Sequence, residues 1–199
     1  SVEGSYNSGK EDGVWTYWYP SGQKEKVVNY KDGWWNGRLE RWFLNGQKME
    51  DLSYKEQIPV GNWKYWFENG QKWKEENWDN GVITGKWLIW HKNGQLESEL
   101  NFKDNNEDGK QTSWYEDGQI RWDFNYKDGM ADGLFTWWHE DGQKKSEITY
   151  KDNSLVKQTQ YEYNDNSQIS HIKNYSGLPN DENLVSETKY FYYENGQIK

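Results

Sequence analysis

The chain has 199 residues, a net charge of −9, no cysteine and a mean hydropathy of −1.32. The charge excludes a general nucleic-acid binder, which needs a basic footprint to neutralise phosphates, and it disfavours docking on an anionic membrane surface. The missing cysteines exclude disulfides and zinc–thiolate sites, and no run of about 18 apolar residues is present to span a bilayer as a helix.

Such polarity alone suggests disorder, but disordered chains lack rings, and this one carries 15 Trp and 15 Tyr. Rings deliver most of the apolar surface, which favours strands. In chain order, Tyr6 closes an incomplete first copy of an internal repeat. Gly-Gln then recurs at Gly22, Gly46, Gly70, Gly94, Gly118 and Gly142, always 24 residues on. Four residues before each of these glycines stands a Trp: Trp18, Trp42, Trp66, Trp90, Trp114 and Trp138. Nine before stands another glycine, Gly13 to Gly133, and eight after stands a ring: Tyr30, Tyr54, Trp78, Phe102, Tyr126 and Tyr150. Regular copies thus cover residues 6–152. Degenerate copies follow over 153–199, where Ser167-Gln168 replaces Gly-Gln, Tyr163 replaces the Trp, and an insertion holds Gly177, Pro179 and Asp181. The whole of 1–199 reads as one continuous repeat array.

Each copy carries two turn signals. Asn-Gly or Asp-Gly, as at Asn45-Gly46, predicts a two-residue type I′ hairpin turn. A looser loop of the Lys31-Asp32-Gly33 kind leads to the next copy. A polar break every dozen residues leaves no room for a stable helix. Pairing outward from Asn45-Gly46 sets Trp42 against Met49 and Leu39 against Leu52. One face then holds Trp63, Tyr65 and Phe67 with their equivalents Trp15, Tyr17, Tyr19, Leu39, Phe43, Trp87, Ile89, His91, Phe135, Trp137 and His139. Val28, Leu52, Leu100, Phe124 and Ile148 join it from the second strand. The other face is polar, with Lys64, Glu75, Glu99 and Asp123, and carries the Trp18 to Trp138 column. At about 4.8 Å per strand, seven or so copies make a sheet roughly 65 Å long. The expected fold is therefore all-β: an elongated single antiparallel twisted sheet of tandem 24-residue β-hairpin repeats. A β-propeller with two copies per blade is the alternative.

The repeated Gly-x-Trp-x-x-Trp-[Phe/Tyr/His]-x-[Asn/Asp]-Gly-Gln, followed by Tyr-Lys-Asp-Gly, resembles the bacterial variant of the MORN repeat, known also as the YwqK-family antitoxins. Residues 61–71, reading Gly-Asn-Trp-Lys-Tyr-Trp-Phe-Glu-Asn-Gly-Gln, and residues 85–95 match best, and the resemblance weakens over 160–187. It implies an extended antiparallel sheet of stacked hairpins, a bacterial source, protein–protein scaffolding, lipid binding less securely, and neutralisation of a toxin. It brings no catalytic residue.

Candidate chemistry is sparse. His91 and His139 share one repeat position, about 19 Å apart at the strand spacing, too far to share a metal, and read as rings filling an aromatic slot; His171 has no evident partner. Glu75, Glu99, Asp123 and Glu147 form a column that reads as a solvated face with cross-strand pairs, Lys64 opposite Glu75, rather than as paired glycosidase carboxylates. Loops such as Asp32-Gly33 and Asp128-Gly129 lack calcium-ligand spacing. No phosphate loop, nucleophile elbow or metal motif occurs, so no catalytic residue, metal or cofactor is expected and the chain is read as no enzyme. The candidate binding residues are aromatic. The column Trp18, Trp42, Trp66, Trp90, Trp114 and Trp138 either shields the sheet or forms a contact surface, and Trp34 and Trp35 read as an extra exposed pair in a loop.

The expected function is protein binding or scaffolding, as a toxin-neutralising or surface interaction protein whose acidic charge suits a basic partner. The alternative is a carbohydrate- or cell-wall-binding module that stacks Trp and Tyr on sugars. The chain opens Ser-Val-Glu without an initiator Met, so a trimmed leader and a native start stand as even alternatives, and a secreted or cell-surface place is favoured over the cytoplasm. Exposed edge strands permit end-to-end association without specifying an oligomeric state.

Overall fold

The computed structural model describes all residues except Leu178 and Asn180. The described residues form the expected all-β fold of tandem antiparallel hairpins, with one 3-10 turn at Asp181–Asn183 and no α-helix. They divide into two compact units, Ser1–Asn106 and Glu107–Lys199. The first unit holds β1 (Val2–Asn7), β2 (Lys10–Trp18), β3 (Lys24–Lys31), β4 (Trp34–Trp42), β5 (Lys48–Lys55), β6 (Ile58–Pro59), β7 (Gly61–Trp66), β8 (Lys72–Asp79), β9 (Val82–Ile83), β10 (Gly85–Trp90) and β11 (Leu96–Lys103). The short β12 (Asn106–Glu107) lies at the boundary. The second unit holds β13 (Gly109–Trp114), β14 (Ile120–Lys127), β15 (Met130–Ala131), β16 (Gly133–Trp138), β17 (Lys144–Lys151), β18 (Ser154–Tyr163), β19 (Ile169–Tyr175) and β20 (Leu184–Lys189). Within each unit strands pair with their neighbours in sequence, a meander.

The two turn signals exchange roles. At Asn45-Gly46 only the glycine takes positive φ, 84°. Phe43 N donates to Gln47 O at 2.8 Å and Gly46 N donates to Phe43 O at 2.9 Å. This is a three-residue loop, a type I turn followed by a left-handed glycine, not the expected type I′. Asn45 is selected by its side chain: Oδ1 accepts from Gln47 N at 2.9 Å, and Nδ2 donates to Glu68 O of the next copy at 2.8 Å. The type I′ turn is the other loop, where Asp32 (φ 51°) and Gly33 (φ 83°) link Lys31 to its partner Trp34.

The longer loop shifts the register by one, and a bulge shifts it back. Trp42 faces Lys48, not Met49, yet Arg41 faces Glu50 and Leu39 faces Leu52 as expected. Met49 is the extra residue. The same bulge leaves Glu25, Trp73, Arg121, Lys145 and Ser170 unpaired in their copies.

The core of the first unit is the expected aromatic face. Trp15, Val28, Leu39, Leu52 and Trp63 are buried, and Tyr17, Tyr30, Trp35, Tyr54, Tyr65 and Trp78 pack against them. Rings run along the face: Trp35 to Tyr54 at 5.2 Å, Tyr54 to Trp63 at 4.9 Å and Trp63 to Trp78 at 5.3 Å between centroids. Edge and tilted contacts of this kind add about 0.5–1.5 kcal/mol each beyond the area they bury. Glu76 breaks the pattern: only 3% exposed, it faces Trp63 in the slot that Val28 and Leu52 fill in other copies. Trp78 Nε1 donates to its Oε2 at 3.0 Å and Lys74 pairs with its Oε1, so the buried carboxylate is bonded. In the second unit Phe124 stacks between Trp122 and Phe135 at 4.3 and 4.6 Å, while Gln111 and Ser113 bring buried polar groups to that sheet.

Candidate functional site

The six column tryptophans each end the first strand of a hairpin, and all are half-buried. Lysines lie over several. Lys48 Nζ is 6.0 Å from the Trp42 ring and 5.7 Å from Trp66, and Lys72 Nζ is 5.3 Å from Trp90. These distances are in the range where the ring quadrupole attracts a cation. Lys48 is also held by Glu40 at 2.6 Å.

Trp34 and Trp35 are not a loop pair. The type I′ turn ends at Gly33, so both fall in β4, opposite Lys31 and Tyr30. Alternation sends them to opposite faces. Trp35 joins the core, edge-on to Tyr54, while Trp34 is 52% exposed. Trp34 lines a shallow cavity of about 480 Å³ with Lys31, Asp32 and Glu56.

The carboxylate column is a set of ion pairs on a solvated face. Glu75 binds Lys72 at 2.6 Å, Glu99 binds Lys86 at 2.6 Å, and Asp123 binds Lys110 at 2.9 Å. Lys64 faces Glu75 in register. Burial pushes the Glu147 carboxyl up, but hydrogen bonds from Lys144 and Tyr161 outweigh it and hold the group below the usual carboxylate range. Two bonds from Arg38, at 2.7 and 2.5 Å, hold Asp51 below that range as well. The histidines stand among rings and acids: His139 is edge-on to Tyr163 at 6.5 Å, and His91 Nδ1 lies 3.8 Å from Glu97. Among the described residues no group of three or more His, Asp or Glu is placed to hold a metal.

One groove in the first unit was missed by sequence reasoning. It encloses about 720 Å³ between the tips of two hairpins, lined by Phe43, Met49, Tyr65, Trp66, Phe67 and Trp73, with Glu50, Glu68, Asn69 and Lys92 completing the wall. Trp73 is 43% exposed and meets Tyr65 and Phe67 at 6.0 and 6.1 Å. Met49 and Trp73 are successive bulge residues. The available signal was an apolar residue at a position that is Glu25, Glu97, Arg121 or Lys145 elsewhere. In the second unit the corresponding groove, about 500 Å³, is lined by Tyr115, Trp137, Trp138, His139 and Glu140 with the bulge residues Arg121 and Lys145.

Five segments of the chain, 11–32, 59–80, 83–104, 107–128 and 131–152, match the family described as MORN repeat variant, together more than half of its length. The intervening stretch 33–58 folds as the same hairpin, β4 with β5. No curated protein matches the chain. A solved structure to which it is similar, "Crystal Structure of TcdB2-TccC3-Cdc42", is 11% identical with a TM-score of 0.36, and the match covers 99% of this chain and 12% of that one.

Proposed function

Since the chain belongs to the MORN repeat variant family, whose repeats are non-catalytic binding modules, we propose that it is a bacterial protein-binding scaffold that neutralises a toxin or holds a surface partner, in the manner of the YwqK-family antitoxins. The observation that carries this reading is the exposed aromatic groove around Trp73. Trp and Met at a solvent-facing bulge add little to the core, and large rings in a desolvated pocket are the usual anchors of protein interfaces. The net charge of −9 favours a basic partner. The test is co-purification of the chain with the product of the neighbouring gene. Retention that weakens from about 50 to about 500 mM salt, as screening of opposite charges requires, supports the reading, and no retention at low salt removes it.

A second reading, carbohydrate binding, rests on Trp34. A half-exposed ring beside Asp32, Glu56 and Lys31 offers a stacking plane with hydrogen-bonding groups at its edge. Pelleting with purified cell wall that is lost in Trp34→Ala supports this alternative. Equal pelleting of both proteins, or none, ends it.

A further inference from the structure

Every complete hairpin carries one bulge residue with no residue opposite it in the strand register, and none of these residues is buried. Their chemistry ranges over acid, base, thioether and aromatic ring: Glu25, Met49, Trp73, Glu97, Arg121, Lys145. The glycine three residues before and the Trp across the ladder do not vary over these copies. Where two neighbouring bulges share a character, the groove between their hairpins takes it. Met49 with Trp73 makes an apolar groove, and Arg121 with Lys145 makes a basic one, each within its own unit.

Resting on the protein-binding reading above, we infer that the bulge residue is the recognition position of the repeat, and that the Met49–Trp73 groove receives a large uncharged side chain of a partner protein, with one basic and one acidic residue of that partner close by. Three observations select this occupant. The cavity, about 720 Å³, is in the range that takes a bulky side chain with its flanking backbone. Three of the groove's five rings already have a cation: Lys48 lies 5.7 Å from Trp66, and Lys74 lies 4.5 Å from Tyr65 and 5.6 Å from Trp73. An arriving Lys or Arg therefore finds these rings partnered, whereas an apolar group covers the exposed edge of Trp73. The charges on the wall complete the match. Glu50 is tied to Arg41 at 3.5 Å, while Glu68 and Lys92 enter no ion pair among the described residues, leaving one acid for a partner base and one base for a partner acid.

The test is display selection of random 12-residue peptides on the full chain, with winners measured by fluorescence polarisation. The expected winners carry Leu, Met, Phe or Trp with a base and an acid nearby. They bind the double variant M49R/W73K at least tenfold more weakly and R121E/K145E within twofold of the parent. Arg121 and Lys145 occupy these bulges in other copies, so M49R/W73K keeps the framework, which an unchanged circular dichroism spectrum verifies. Glu68→Lys, at an exposed site, weakens the same peptides about tenfold. Winners that bind M49R/W73K as tightly as the parent, winners without a large apolar residue, or no winners at all overturn the inference. So does a dimeric parent that becomes monomeric in M49R/W73K, since the occupant is then a second copy. Co-purification with the neighbouring product stands apart: a partner retained equally by M49R/W73K leaves protein binding intact and removes only this groove.

Discussion

Two tryptophans at the same repeat position separate the worth of a ring from the worth of its N–H. Trp63 Nε1 donates to Ser53 O at 2.9 Å, whereas Trp87 Nε1 is buried without a partner. Replacement of Trp63 by Phe loses packing and one of the two hydrogen bonds that Ser53 O accepts, the other coming from Val60 N at 3.0 Å, for about 1–2 kcal/mol. Trp87→Phe removes an unsatisfied donor along with the lost volume and costs clearly less; urea titrations of the two variants measure the difference. Asp51 supplies a pH test. Its folded pKa is depressed, chiefly by the Arg38 hydrogen bonds, so its stabilisation is present above the unfolded value and is lost as pH falls through the folded one. Arg38 is half exposed, and screening keeps the pair to about 1 kcal/mol or less. Asp51→Asn is therefore expected to melt lower at pH 7 and to match the parent at the acid end. At this scale the sequence misled over Trp34 and Trp35, because their placement depended on which Gly-containing loop was the tight one.

Among elements, the hairpins were legible and their turns were not. Period, strand positions and the Leu39–Leu52 pairing follow from in-phase glycines and alternating rings. Asn-Gly, however, serves both a two-residue and a three-residue loop, and the bulge at Met49 cancels the shift so that the core face is unaffected. The same turns yield a stabilising change. Glu56 (φ 51°) and Gln57 (φ 66°) form a type I′ turn without glycine. The left-handed region costs an ordinary residue about 1 kcal/mol, so Gln57→Gly is expected to raise stability by roughly that amount in thermal or urea melts. The backbone bond from Gln57 N to Trp35 O at 2.8 Å is kept.

For the molecule as a whole, the family framework was readable from the repeat, while the grooves depend on a position defined only once the bulge is known. On the proposed reading the shared framework rings build the wall of each groove and the variable bulge residue sets its character, as expected where sites are grafted on a shared scaffold. One detail of the turns bears on how the array opens. Asn45 and Asn69 reach forward by Nδ2 to Glu68 O and Lys92 O of the following hairpin. In the second unit the position is Asp117 and Asp141, whose side chains accept within their own turn and have no amide hydrogen to offer onward. The first unit is in this sense laced along its loop margin by asparagines; in the second that link is missing at Asp117, while the Asp141 turn is tied onward by Gln143, whose Nε2 donates to Ser167 O at 2.9 Å. Hydrogen exchange should record the contrast: amides at the Asp117 tip trade with solvent sooner than those at Asn45 and Asn69, and Asn69→Asp should bring its neighbours to the faster pace.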